Sequence, residues 1–219
     1  MLCVFDINET LLDLTPLDEV FGSPETRREW FALLIHTALT VTATGGYRDF
    51  AGIAGAAATT VAASHGRRLS DDERTRIGTT MRSLPAHPDV PNGLARLRDA
   101  GFSLVALGNS PLATIEAQLQ HAELRHFFDH VFSAEQAGAL KPAAAPYRYV
   151  LDACPGQDAI MIAAHGWDIA GAHAAGLRTA FISRPGQREL PGGPAADTSA
   201  PDLDALATQL IGSRAARTA

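Results

Sequence analysis

The apolar run Leu2–Phe5 is followed at once by Asp6, Asn8, Glu9 and Thr10, which sets a carboxylate, an amide and a hydroxyl at the end of a buried strand. The same succession recurs downstream. Gly108-Asn109-Ser110 closes an apolar segment, Lys141 stands in a loop, and His165 and Asp168 follow the apolar residues 159–163. Ligands of open α/β sheets bind beyond the carboxyl ends of the strands. Two carboxylates, a lysine, an amide and an imidazole are therefore expected at one mouth. A carboxylate nucleophile, a cation that offsets its charge and a second acid suit covalent or metal-assisted hydrolysis. Each residue alone reads as a solvated loop position, but the set at one edge points to function.

Helices must hold those strand ends. Ser23-Pro24-Glu25 opens one, with a capping hydroxyl, a proline suited to the first helical position and an acid at the positive helix end, and Gly45-Gly46 stops it. A second is expected over about 50–65, and a third after Ser70-Asp71-Asp72-Glu73, a capping-box pattern. Downstream, helices over 92–100, 111–121, 144–153 and 167–175 alternate with strands over 103–107, 130–133, 159–163 and 178–182. The fold expected is α/β, a doubly wound and mainly parallel Rossmann-like sheet. Its core is residues 1–13 and 89–219, and an all-helical cap, residues 14–88, is inserted after the first strand. The Gly- and Pro-rich segment 184–201 reads as a loop before a last helix over 203–211.

With 219 residues the chain can bury a core without disulfides or metal staples. A net charge of −6 disfavours nucleic acid and anionic membrane as partners. Cys3 and Cys154 lack the spacing of a zinc site and form no disulfide framework. With no basic leader before Asp6, they imply a reducing, cytoplasmic location. Charged residues make up only 19%, and the run 30–46 has none. A membrane span needs about 20 mostly apolar residues. This run carries His36, four threonines and two glycines, and so reads as a buried or pocket-lining helix.

Asp6-Ile7-Asn8-Glu9-Thr10-Leu11-Leu12, Asn109, Lys141-Pro142 and Trp167-Asp168 resemble the four motifs of the haloacid dehalogenase-like hydrolases. Over nearly the whole chain the resemblance extends to the type II (S)-2-haloacid dehalogenases, through Tyr147 six residues after the lysine and through Gly171-Ala172 after Trp167-Asp168. It implies a nucleophilic Asp6 that displaces halide from a short 2-haloalkanoic acid, haloacetates and fluoroacetate included, followed by hydrolysis of the aspartyl ester. Asp168 then positions or deprotonates the water and holds Lys141, whose ammonium offsets charge at Asp6. Thr10 orients the nucleophile. Ser110 at a helix start receives the substrate carboxylate, Asn109 donates to the carboxylate or the halide, and Asn8, Tyr147 and His165 complete the pocket. No metal or cofactor is expected, and a homodimer is implied.

Asn8 separates this reading from its relatives. Phosphatases of the superfamily typically carry an aspartate two positions after the nucleophile to protonate the leaving alcohol, which an amide cannot do. Ala164 also leaves fewer carboxylates for magnesium. The alternatives are a magnesium-dependent phosphatase using Asp6 and Asp168, and a binding protein that has lost its chemistry. Departures from the dehalogenase pattern favour the last. Counted without gaps from Trp30 to Tyr47, the usual anion-binding arginine falls on Val41, hydroxyl positions become Gly108 and Ala163, and a usual asparagine is His165. Arg27, Arg28 or Arg48 offers charge from another direction, with a solvated position on the helix surface as the alternative reading of each. His165 reads equally as a partner of halide or water and as a cap on a strand-end backbone group. Tyr147 has packing as its alternative, and His36 reads as a partly buried structural histidine. Trp30, Phe31 and Trp167 read as packing the cap against the core while forming an apolar wall against a small substrate, and Cys3 as a small buried hydrophobe.

Overall fold

A computed structural model describes residues 1–218. At its centre β1 (Leu2–Phe5) is buried at every position, as a strand covered on both faces must be. It pairs in parallel with β2 (Ser103–Gly108) and β4 (Ala159–Ala163), with Val4 opposite both Val105 and Met161. β3 (His130–Ser133), β5 (Arg178–Ile182) and β6 (Thr198–Ala200) complete a six-stranded sheet of order β3-β2-β1-β4-β5-β6, parallel throughout. Alternate residues of the same strands feed two apolar layers. Cys3, Phe5, Leu104, Ala106 and Ile160 face one side, while Leu2, Val4, Val105, Leu107 and Met161 face the other. The chain is thus an α/β Rossmann-like domain, and its strand order reverses between β1 and β4, where such sheets bind ligands.

Four helices follow β1: α1 (Leu17–Phe21), α2 (Pro24–Ala43), α3 (Phe50–Ser64) and α4 (Asp71–Arg82). The Ser23 hydroxyl caps α2, and Ser70 with Glu73 forms a complete capping box on α4. α2 packs on α3, and α4 reaches α6 (Leu112–His121). α5 (Val90–Asp99) packs instead on the last helix, α9 (Leu203–Thr218). α7 (Ala144–Ala153) and α8 (Gly166–Ala174) flank β4 in the chain. Among the described residues no helix is long and apolar enough to cross a membrane.

Two expectations fail here. The segment read as a loop contains β6, three residues whose strand character comes only from pairing with β5, Ala180 opposite Thr198 and Ile182 opposite Ala200. The last helix continues past Gly212 to Thr218 rather than ending at Ile211. The sequence Ser213-Arg214-Ala215-Ala216-Arg217 favours helix, and Arg214 donates to the carbonyls of Ala100 and Gly101.

Candidate active site

Asp6 leaves the end of β1 into a tight turn in which Leu11 and Leu12 both return hydrogen bonds to the Ile7 carbonyl. That turn folds Thr10 back beneath Asp6. The Thr10 hydroxyl donates to Asp6 Oδ2 at 2.6 Å and accepts from the Ala164 amide at 2.9 Å. It is fully buried and spent on the protein, so it orients the Asp6 carboxylate. Glu9, between them, has a left-handed backbone with φ of 60°.

Lys141 arrives from the loop before α7, pinned at its backbone by Asn109. Its amide donates to Asn109 Oδ1 at 2.8 Å, and Asn109 Nδ2 donates back to its carbonyl at 3.3 Å. The ammonium, with no exposed surface, donates to Asp6 Oδ1 at 2.8 Å, Asp168 Oδ2 at 2.6 Å and the Leu107 carbonyl at 3.0 Å. Three acceptors consume its three protons. Asp168, fully buried on α8, gives its other oxygen to the Tyr147 hydroxyl. Tyr147 thus lies behind Asp168 in a polar role beyond packing.

Burial raises the Asp6 carboxyl, but Lys141, His165 and the bonds from Lys141 and Thr10 outweigh it and hold Asp6 below the usual carboxylate range. Asp168 moves the other way, raised by burial and by the Asp6 charge against the pull of Lys141 and Tyr147. Burial depresses Lys141, but the two carboxylates overcome it and raise the ammonium. Asp6 is therefore ionised and the cation fixed between two acids.

Above Asp6 opens a small cavity of about 20 Å³. Its polar wall is Asp6, Asn8, Asn109, Ser110, Lys141 and His165, and its apolar wall includes Phe31, Ile35, Phe50 and Trp167. The Asn8 amide is held at both ends, donating to Ser110 Oγ at 3.4 Å and accepting from Gln118 Nε2 at 3.0 Å. His165 lies between the rings of Phe31 and Trp167, at centroid distances of 5.7 and 5.3 Å, with Nε2 3.2 Å from the Asn8 carbonyl and 3.9 Å from Asp6 Oδ2. It is at once on a strand-end carbonyl and on the cavity wall.

Several expectations are corrected. Val41 does not line the cavity: it lies six residues beyond Ile35 on α2, about 9 Å along the axis, near Gly46. The residues that α2 offers are Phe31 and Ile35, both apolar. Neither Arg27, Arg28 nor Arg48 reaches the cavity: Arg27 pairs with Asp18 and Glu9, Arg28 with Glu25, and Arg48 is exposed. Trp30 is buried away from the wall, stacked on Phe21 at 4.8 Å with its N–H on the Ala54 carbonyl. His36 is exposed rather than partly buried. The start of α6 is already capped by an acid, Leu112 N–H donating to Glu135 Oε1 at 2.7 Å, which opposes a second anion there. Asp168 and Tyr147 stand behind the wall rather than on it. At Gly108 a Cβ would lie 2.9 Å from both Ile7 and Ile115, so these side chains fill the space a hydroxyl would need.

Gln118 and Gln187 were not anticipated. Gln118 sits on a helix far from any motif, and Gln187 lies in a loop that only the fold returns to His165, where its Oε1 is 3.2 Å from Nδ1. Magnesium suits this donor set poorly. The Lys141 ammonium bridges Asp6 and Asp168, Asn8 Oδ1 is engaged by Gln118, and Ala164 offers no side-chain oxygen. Among the described residues no group of three His, Cys, Asp or Glu is placed to hold a metal.

The chain is 28% identical to (S)-2-haloacid dehalogenase 1 of Pseudomonas sp. (strain CBS-3) over 191 residues, covering 83% of this chain and 84% of that one. It is also 28% identical to haloacetate dehalogenase H-2 of Moraxella sp. (strain B) over 143 residues, 64% of each chain. The structure of L-2-haloacid dehalogenase from Xanthobacter autotrophicus superposes with a TM-score of 0.88 at 21% identity, covering 96% of this chain and 98% of that one, and so shares the fold. Residues 1–176 match the family model of the haloacid dehalogenase-like hydrolases, and the chain belongs to that family.

Proposed function

We propose that the protein hydrolyses the carbon–halogen bond of short 2-haloalkanoic acids, haloacetates among them. Asp6 attacks the halogen-bearing carbon. The new O–C bond forms as the C–X bond breaks, and halide departs with the bonding pair. Water then attacks the ester carbonyl of Asp6, and collapse of the adduct returns the carboxylate and releases the 2-hydroxy acid, with one proton lost to solvent. Lys141 and Thr10, already on the two Asp6 oxygens, stabilise the charge that develops there. Asp168 and Tyr147 hold the ammonium from behind, a positioning role that the engagement of both Asp168 oxygens supports. In this reading residues 14–88, with α1 to α4, are a cap over the core of 1–13 and 89–219, and Phe31, Ile35 and Phe50 are its contribution to the wall.

The observation that carries the reading is the ionised Asp6 at the base of a small cavity with one polar and one apolar wall, beside an amide rather than a second acid. Halide loss needs no proton donor, which fits Asn8. Incubation with chloro-, bromo- and fluoroacetate in oxygen-18 water should release halide and place the label in Asp6, while Asp6→Asn should release none. A folded wild type that frees halide from none of the three would overturn the proposal.

A further inference from the structure

Every donor that Lys141 owns is taken, since its three protons meet Asp6, Asp168 and the Leu107 carbonyl. No arginine lines the cavity, yet the substrate proposed for it is an anion and so is the halide it releases. His165 stands on the same wall. Both of its ring nitrogens face acceptors. Nε2 is 3.2 Å from the Asn8 carbonyl, which cannot donate. Nδ1 is 3.2 Å from Gln187 Oε1, and the orientation of that amide is fixed because its Nε2 donates to Glu9 Oε2 at 2.7 Å. A neutral imidazole carries one N–H and would leave one nitrogen lone pair against an oxygen lone pair. Only the imidazolium, a donor at both nitrogens, satisfies the two contacts.

The surroundings suit a cation. Phe31 and Trp167 both stack on the ring. The charged groups that face the ring are Asp6, with Oδ2 at 3.9 Å, and Glu9, with Oε2 at 3.7 Å, both from the turn after β1. From α2, Arg27 reaches Glu9, while Phe31 itself is uncharged. From α8 the contact is Trp167, over which the Lys141 ammonium lies at 5.7 Å, and from the loop after β5 it is the neutral Gln187.

We infer that His165, as an imidazolium, is the group that binds a small monoanion in this cavity, taking the place of the absent arginine. The inference rests on the dehalogenase reading for the identity of that anion, the substrate carboxylate or the departing halide. The Nε2–H bond to Asn8 is longer than the usual 2.9–3.0 Å and can be shared with an incoming anion.

Acetate and bromide, neither of which can be dehalogenated, are the probes. Calorimetric titration of each into wild type and His165→Gln should show at least one bound about tenfold or more weakly by the variant, the loss expected for a charge-assisted hydrogen bond. Weakening of acetate assigns the carboxylate to His165, and weakening of bromide assigns the halide. Nitrogen-15 spectra of histidine-labelled wild type, with His165 identified by its contacts to Trp167, should show both ring nitrogens protonated at neutral pH. This measurement needs no variant to fold. A neutral-tautomer signal there, or unchanged affinity for both ions in a folded His165→Gln, would overturn the inference. His165-dependent acetate binding without halide release from any haloacetate would instead leave the inference standing and remove the dehalogenase reading.

Discussion

Replacing Lys141 with methionine keeps an unbranched side chain one heavy atom shorter and deletes its charge. Asp6 and Asp168 would then confront each other, 5% and 0% exposed, with the ammonium that now lies 2.8 and 2.6 Å from them gone. Removing one partner of a buried ion pair costs about 3–5 kcal/mol, because the remaining charge stays buried without compensation. In a chain of this size each kcal/mol lowers Tm by about 2–4 °C, so the variant should melt about 6–20 °C below wild type. The cost is electrostatic, so adding Asp168→Asn should recover about 1–3 kcal/mol of it. The pH dependence follows. Two unneutralised carboxylates have raised folded pKa values, the folded state binds protons more readily than the unfolded one, and stability returns as pH falls. Urea unfolding at pH 5 and pH 8 for the wild type, both single variants and the double variant measures all three effects. A loss below about 1 kcal/mol for Lys141→Met, or no rescue by Asp168→Asn, would refute the view that the ammonium holds the two acids together.

Tyr147→Phe removes the hydroxyl that donates to Asp168 and should cost about 1.5–3 kcal/mol in chemical denaturation. Because Tyr147 does not line the cavity, its KM for a haloacetate should change little. At Gly171 a Cβ would lie 2.5 Å from Pro142 and 2.7 Å from the Tyr147 hydroxyl, so Gly171→Ala should lose about 1–3 kcal/mol from overpacking, measurable as a lower Tm. Burial raises the Asp89 carboxyl, but Arg184 and the Leu203 amide outweigh that and leave it below its ordinary value. A depressed carboxylate stabilises above its unfolded pKa and loses that contribution as pH falls through the folded one. Acid unfolding should therefore shift less with Asp89→Asn already in place, as followed by circular dichroism between pH 6 and pH 2.

The amino-acid sequence by itself determined the alternation of strands and helices and the identity of the polar strand ends. A strand buried on both faces must be an unbroken apolar run, and its end must be polar. Leu2–Phe5 followed by Asp6 shows both. The caps at Ser23 and Ser70 are likewise legible, since a hydroxyl and the amide it satisfies are three residues apart. Tertiary structure decided what local spacing cannot encode. β6 exists only through its ladder with β5, and α9 outlasts Gly212 with Arg214 on a distant loop. Register along α2, not count from Trp30, places Phe31 and Ile35 on the cavity and leaves Val41 outside. Gln187 meets His165 across 22 residues, and Lys141 meets Asp6 across 135. The charge state argued for His165 is fixed by which atoms those contacts set against its two nitrogens. A sequence names the donors and acceptors, but only the fold decides which of them face each other.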